Sequence, residues 1–93
     1  MFLHVTEVKY LEEYRLHLRF NNGVSKIVDL CNELDGEIFE PLIDVHFFQQ
    51  VYLNTETGTI EWANGADFAP EFLLEIGEDS AGIHEERDVM VTG

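Results

Sequence analysis

The sequence predicts a small α+β fold, a mostly antiparallel sheet of hairpins with two or three short helices packed on one side. Three observations carry that prediction. Tyr14-Arg15-Leu16-His17-Leu18-Arg19-Phe20 alternates apolar and polar residues without a fault, the period-two signature of a strand with one buried face. Asn21-Asn22-Gly23 follows it as a hairpin turn. Further on, Pro70 opens a short apolar-rich run to Ile76, as proline does at the first turn of a helix. With 93 residues there is room for one core, and 45% hydrophobic content with seven Phe, three Tyr and one Trp is enough to fill it without a metal or a disulfide.

Leu3 to Tyr10 reads as the first strand, its alternation slipping at Thr6-Glu7 as at a bulge or a late start, and Leu11-Glu12-Glu13 reads as the first turn. The loop after Phe20 sets the register of the next hairpin. A two-residue loop would place Leu16 opposite Asp29 and Arg19 opposite Lys26, both poor pairings. A three-residue loop with Gly23 left-handed instead sets Phe20 opposite Val24, Leu16 opposite Val28, Tyr14 opposite Leu30 and Arg15 opposite Asp29, so the longer loop is expected. Cys31 to Gly36 is expected to make one helical turn ended by Gly36, and Pro41 interrupts any longer element.

Asp44 is placed to cap a short helix from Val45 that Phe47 and Phe48 would anchor to the sheet. Val51 to Asn54 and Thr59 to Trp62 flank Thr55-Glu56-Thr57-Gly58 as a second hairpin, and the helix from Pro70 follows. Residues 1–76 are thus expected to form one domain, with 77–93 an acidic, flexible tail.

Five basic against nineteen acidic residues give a formal charge of −14, which repels the phosphates that nucleic-acid binders must neutralise, so direct nucleic-acid binding is not expected. A basic protein partner suits that charge. The amino terminus has neither the basic start nor the apolar run of a signal peptide, and no stretch approaches the roughly 20 apolar residues that span a bilayer. Cys31 is the only cysteine, which excludes an intrachain disulfide and fits a reducing, cytoplasmic setting with no membrane partner. His4, His17, His46 and His84 show no metal-ligand spacing, and no cofactor motif is present. Cys31 lies among Asp29, Asn32 and Glu33, acids that work against a thiolate, and reads as a small apolar filler.

The order of these elements, with Phe20-Asn21-Asn22-Gly23, Val28-Asp29-Leu30, Pro41-Leu42, Phe48 and Trp62-Ala63-Asn64-Gly65-Ala66-Asp67 leading to Ala69-Pro70-Glu71, resembles a bacterial family, domain of unknown function 2442. The resemblance covers about Val5 to Ile76. It implies a small α+β fold often encoded beside another small protein, in the manner of a toxin and antitoxin pair, and it supplies no catalytic residues. The helix-turn-helix that follows this domain in some relatives is not expected from the short acidic stretch after Ile76.

Two constellations have both a binding and a structural reading. Trp62, Asn64 and Asp67 would line a small-ligand or enzymatic pocket, an indole face beside an amide and a carboxylate. Alternatively Trp62 fills the core, Asn64-Gly65 makes a turn and Asp67 caps the next helix. Arg15 and Arg19, with His17 between them, would clamp a carboxylate or phosphate from the outer strand face, or simply form a solvated face with Arg15 paired to Asp29. The leading expectation is a non-enzymatic protein-protein interaction module, antitoxin-like, whose acidic surface meets a basic partner. The alternative is the pocket at Trp62, Asn64 and Asp67. A homodimer is a further expectation, because small sheets have edges to cover and Ile27 points outward.

Overall fold

The computed structural model of the chain describes residues 2–79. Strands β1 (Val5–Glu12), β2 (Arg15–Phe20) and β3 (Ser25–Asp29) form an antiparallel meander, closed on its far edge by a two-residue strand β6 (Glu78–Asp79) in the order β1-β2-β3-β6. A second antiparallel pair, β4 (Tyr52–Asn54) and β5 (Thr59–Glu61), forms its own sheet beside β1, where the Val5 amide donates to the Gly58 carbonyl at 2.8 Å. Two 3₁₀ turns, Cys31–Glu33 and Glu40–Ile43, lead into α1 (Val45–Phe48), and α2 (Pro70–Ile76) comes after β5.

The hairpin register is the one that matches the apolar faces. Leu16 pairs with Val28, Arg15 with Asp29 and Arg19 with Ser25. The Phe20 amide donates to the Val24 carbonyl and the Gly23 amide to the Phe20 carbonyl, with Gly23 at φ +86°, which closes the expected three-residue loop. Leu16, Leu18, Phe20 and Val28 are buried on one face together with Phe48 of α1 and Leu73 of α2, so the helices cover the side from which the arginines point away.

Besides strand ends that shift by one or two residues, such as β1 starting at Val5 rather than Leu3, three boundaries differ from expectation. β1 runs on to Glu12, so the first turn is Glu13-Tyr14 rather than Leu11-Glu12-Glu13; the pairing steps over Thr6 and again over Leu11, placing a bulge at the slip in alternation and a second one beyond it. Glu12 and Arg15 are the last pair of the β1–β2 ladder, and the Glu12 carboxylate also takes the Arg15 guanidinium at 2.8 Å across that turn. Gly36 does not end a helix from Cys31. That turn stops at Glu33, and the Gly36 carbonyl starts the next one by accepting from the Phe39 and Glu40 amides.

The third difference lies beyond residue 76. Glu78 pairs with Ile27 and Asp79 with Lys26, so two residues of the expected tail belong to the sheet and cover the β3 edge. Ile27, expected to point outward unprotected, is partly buried there. The chain reaches this edge because α2 ends against β3 at Gly77, where a Cβ would stand 2.8 Å from the Lys26 Cβ and 3.0 Å from Val28 Cγ2. The remainder of the expected acidic tail, 80–93, lies outside the described residues.

Candidate functional site

The Trp62 to Pro70 segment is a joint between sheet, helix and loop. Trp62 is 1% exposed, and its indole N–H donates to the Phe48 carbonyl at 2.8 Å. Its ring lies 5.4 Å from Phe48 and 6.0 Å from Phe68, and Phe68 in turn stacks on Phe39 and Phe72. Tyr10 on β1 and Tyr14 in the turn after it reach Phe48 edge-on. This line of rings connects the sheet, α1, β5 and α2, and it leaves the indole no face for a ligand.

Asn64 is spent on the backbone at both ends of its amide. Its Nδ2 donates to the Ile38 carbonyl at 2.9 Å, and its Oδ1 accepts from the Ala66 amide at 3.1 Å. The turn it occupies repeats the one after β2. In both, an aromatic amide donates to the residue four positions on, the glycine amide donates back, and the Asn carbonyl accepts from the residue two positions on, in Phe20-Asn21-Asn22-Gly23-Val24 and Trp62-Ala63-Asn64-Gly65-Ala66. Gly65 sits at φ +92° beside Gly23 at φ +86°, a conformation that costs other residues.

Asp67 departs from its structural reading. Its backbone bridges Glu61, extending the β5 hairpin, and α2 starts after Ala69 with no side-chain cap, Pro70 at the first helical position leaving one fewer free amide there. The Asp67 carboxylate is exposed and carries no hydrogen bond or ion pair among the described residues.

Arg15 and Arg19 share the outer face of β2, where the structure sets them among acids. Arg15 meets Glu12 at 2.8 Å and Asp29 at 3.5 Å, half-exposed pairs that contribute about 0–1 kcal/mol each. Arg19 lies opposite Glu7 on one side and Ser25 on the other. With Arg15 already neutralised, the stripe offers an anion little net charge. Cys31 is exposed rather than a core filler, its amide donating to Asp29 Oδ1 at 2.9 Å.

On the outside of the second hairpin, the Tyr52 hydroxyl donates to Glu61 Oε1 at 2.6 Å while Asn54 Nδ2 holds Glu61 Oε2 at 3.1 Å. The hydrogen bond to Glu61 is the main cause that raises the Tyr52 phenol above its ordinary value, with desolvation and the Glu61 charge adding to it. Among the described residues no three His, Cys, Asp or Glu gather as a metal site would, and no helix is long and apolar enough to cross a membrane.

The profile of the family described as protein of unknown function (DUF2442) matches residues 5–79, from the first residue of β1 to the last of β6. The chain belongs to this family. In DUF2442 terms the matched unit includes β6, in agreement with its place in the sheet. No curated protein and no solved structure matches the chain.

What sequence reasoning missed lies in the turns before α1. Ile38 is 46% and Ile43 53% exposed, although both belong to a stretch anchored by buried Leu34 and Leu42. Around them Asp35, Glu37, Glu40 and Asp44 are exposed as well. The signal available in sequence was the interleaving itself, acids alternating with large apolar residues where no helical or strand period explains it.

Proposed function

We propose that this DUF2442 protein is a non-enzymatic interaction module whose acidic side receives a basic protein partner. One observation carries the reading. All four Lys and Arg of the described residues, Lys9, Arg15, Arg19 and Lys26, lie on β1, β2 and β3, whereas the chain from Leu30 to Ile76 holds ten acids and neither Lys nor Arg. None of those ten acids is buried. Charge is therefore uneven over the fold: residues 2–29 balance four bases with the four acids Glu7, Glu12, Glu13 and Asp29, whereas the turns, second hairpin and helices carry acids alone, and a field of one sign over that part steers a basic surface toward it while turning nucleic acid away.

A partnership with a small basic protein encoded alongside would make the chain antitoxin-like, the role implied by the resemblance drawn from its motifs. An exposed lone thiol at Cys31 suits a reducing, cytoplasmic location for that pairing. The pocket reading loses support from the packing of Trp62 and the spent amide of Asn64.

The test is affinity capture from the native cell at low and at high salt, followed by identification of what is retained. A basic protein held at about 0.05 M salt and released near 0.5 M is the expected result, because screening shortens the Debye length severalfold over that range. Retention of only acidic proteins, or of a partner indifferent to salt, would contradict the reading.

A further inference from the structure

Between Gly36 and Asp44 the chain makes successive tight turns, each closed by its own backbone bonds: Glu40 to Gly36, Leu42 to Phe39 and Asp44 to Pro41. These bonds keep the segment compact, with Ile38 in the turn closed on Gly36 and Ile43 at the end of the 3₁₀ turn Glu40–Ile43 that follows it. Distant side chains then fix the segment at the two isoleucines themselves. Asn64 Nδ2 donates to the Ile38 carbonyl, and the Tyr14 hydroxyl donates to the Ile43 carbonyl. From below, Leu42 is fully buried and Phe39 stacks on Phe68 at 4.8 Å.

Two large apolar side chains are thus held in solvent by a segment whose backbone is ordered in advance. Preorganised apolar residues ringed by polar ones are the anatomy of an interface centre, since little ordering entropy remains to be lost on binding. The charges that flank the two isoleucines in sequence are of one sign: Asp35, Glu37, Glu40 and Asp44, all exposed. A second copy of the same surface would bring these acids together, and an anionic lipid surface would meet the same repulsion. Charge complementarity leaves a basic surface with apolar side chains.

We propose that Ile38 and Ile43 form the apolar centre of the partner-docking surface, with Asp35, Glu37, Glu40 and Asp44 as its charged rim, and that the partner presents apolar side chains among Lys or Arg. This rests on the reading of an acidic module with a basic partner, and adds where that partner sits and why charge alone does not hold it.

The experiment is a ¹⁵N-correlation NMR titration of the full chain with two synthetic peptides of equal length and equal lysine count, one of Lys and Leu, the other of Lys and Gln. The Lys/Leu peptide is expected to bind about tenfold or more tightly, with its largest shifts at residues 35–44. In the Ile38→Ser/Ile43→Ser variant that advantage disappears, whereas Leu11→Ser, which removes an exposed apolar residue on β1, leaves it intact. The shift map of the unaltered chain decides the matter even if a variant fails to fold. Equal affinity for the two peptides, or shifts centred elsewhere, overturns the docking surface and leaves the acidic module standing. Failure of both peptides to bind at low salt overturns the two together.

Discussion

Asn64 joins two parts of the chain through one amide, its Oδ1 completing its own turn and its Nδ2 holding the Ile38 carbonyl 26 positions away. Asn64→Ala removes both bonds and is expected to cost about 1–2 kcal/mol, read as a fall in Tm of roughly 4–8 °C per kcal/mol for a domain of this size. An unchanged Tm would show that the amide holds nothing together. The Tyr52 phenol gives a pH signature of its own. Because the folded state holds that proton more tightly than the unfolded chain does, the stabilisation is present below the ordinary phenol value of about 10 and is lost as pH rises through the raised value. Glu61→Gln should bring the Tyr52 ionisation, followed by its ultraviolet absorbance, back down toward that ordinary value. At this scale Trp62 as a core residue was legible in the sequence, but the loss of Asp67 as a cap was not, since the bridge to Glu61 that occupies its backbone is a tertiary contact.

Among the elements, those with a local cause could be read in advance. The β2–β3 register follows from matching Leu16 with Val28 and Arg15 with Asp29, and α2 spans Pro70–Ile76 because proline starts it and Gly77 meets β3. β6 could not be read, because Glu78 and Asp79 have no strand propensity and pair only where α2 delivers them to the β3 edge. The turns from Gly36 to Asp44 were equally opaque, since 3₁₀ geometry leaves no 3.6-residue period and Tyr14 and Asn64 fix them from afar. The two Asn-Gly turns make a matched prediction. Gly23→Ala and Gly65→Ala each force a side chain into left-handed backbone and should each destabilise by about 1–2 kcal/mol in denaturant titration, although neither Cβ would touch a neighbour. A neutral result at either site would mean that the turn relaxes into another type.

For the whole molecule, charge sets the behaviour. A formal charge of −14 on 93 residues repels itself, and the acids from Leu30 to Ile76 have no Lys or Arg among them to relieve it. Raising ionic strength from 0.01 to 0.15 M shortens the Debye length from about 30 to about 8 Å, so Tm is expected to rise by several degrees; a fall would show that the few ion pairs on the outer sheet face outweigh the repulsion. The sequence made the charge legible but not its arrangement, because only the fold shows that the basic residues share the meander while Ile38 and Ile43 stand exposed among the acids. The most direct test of that uneven arrangement is an NMR titration of the full chain with the Lys/Gln peptide at 0.02 and 0.3 M salt. The structure predicts shifts confined to the acidic stretch, above all residues 33–44 and 71–75, and their loss at the higher salt. Shifts centred on Arg15 and Arg19, or binding that survives the added salt, would contradict it.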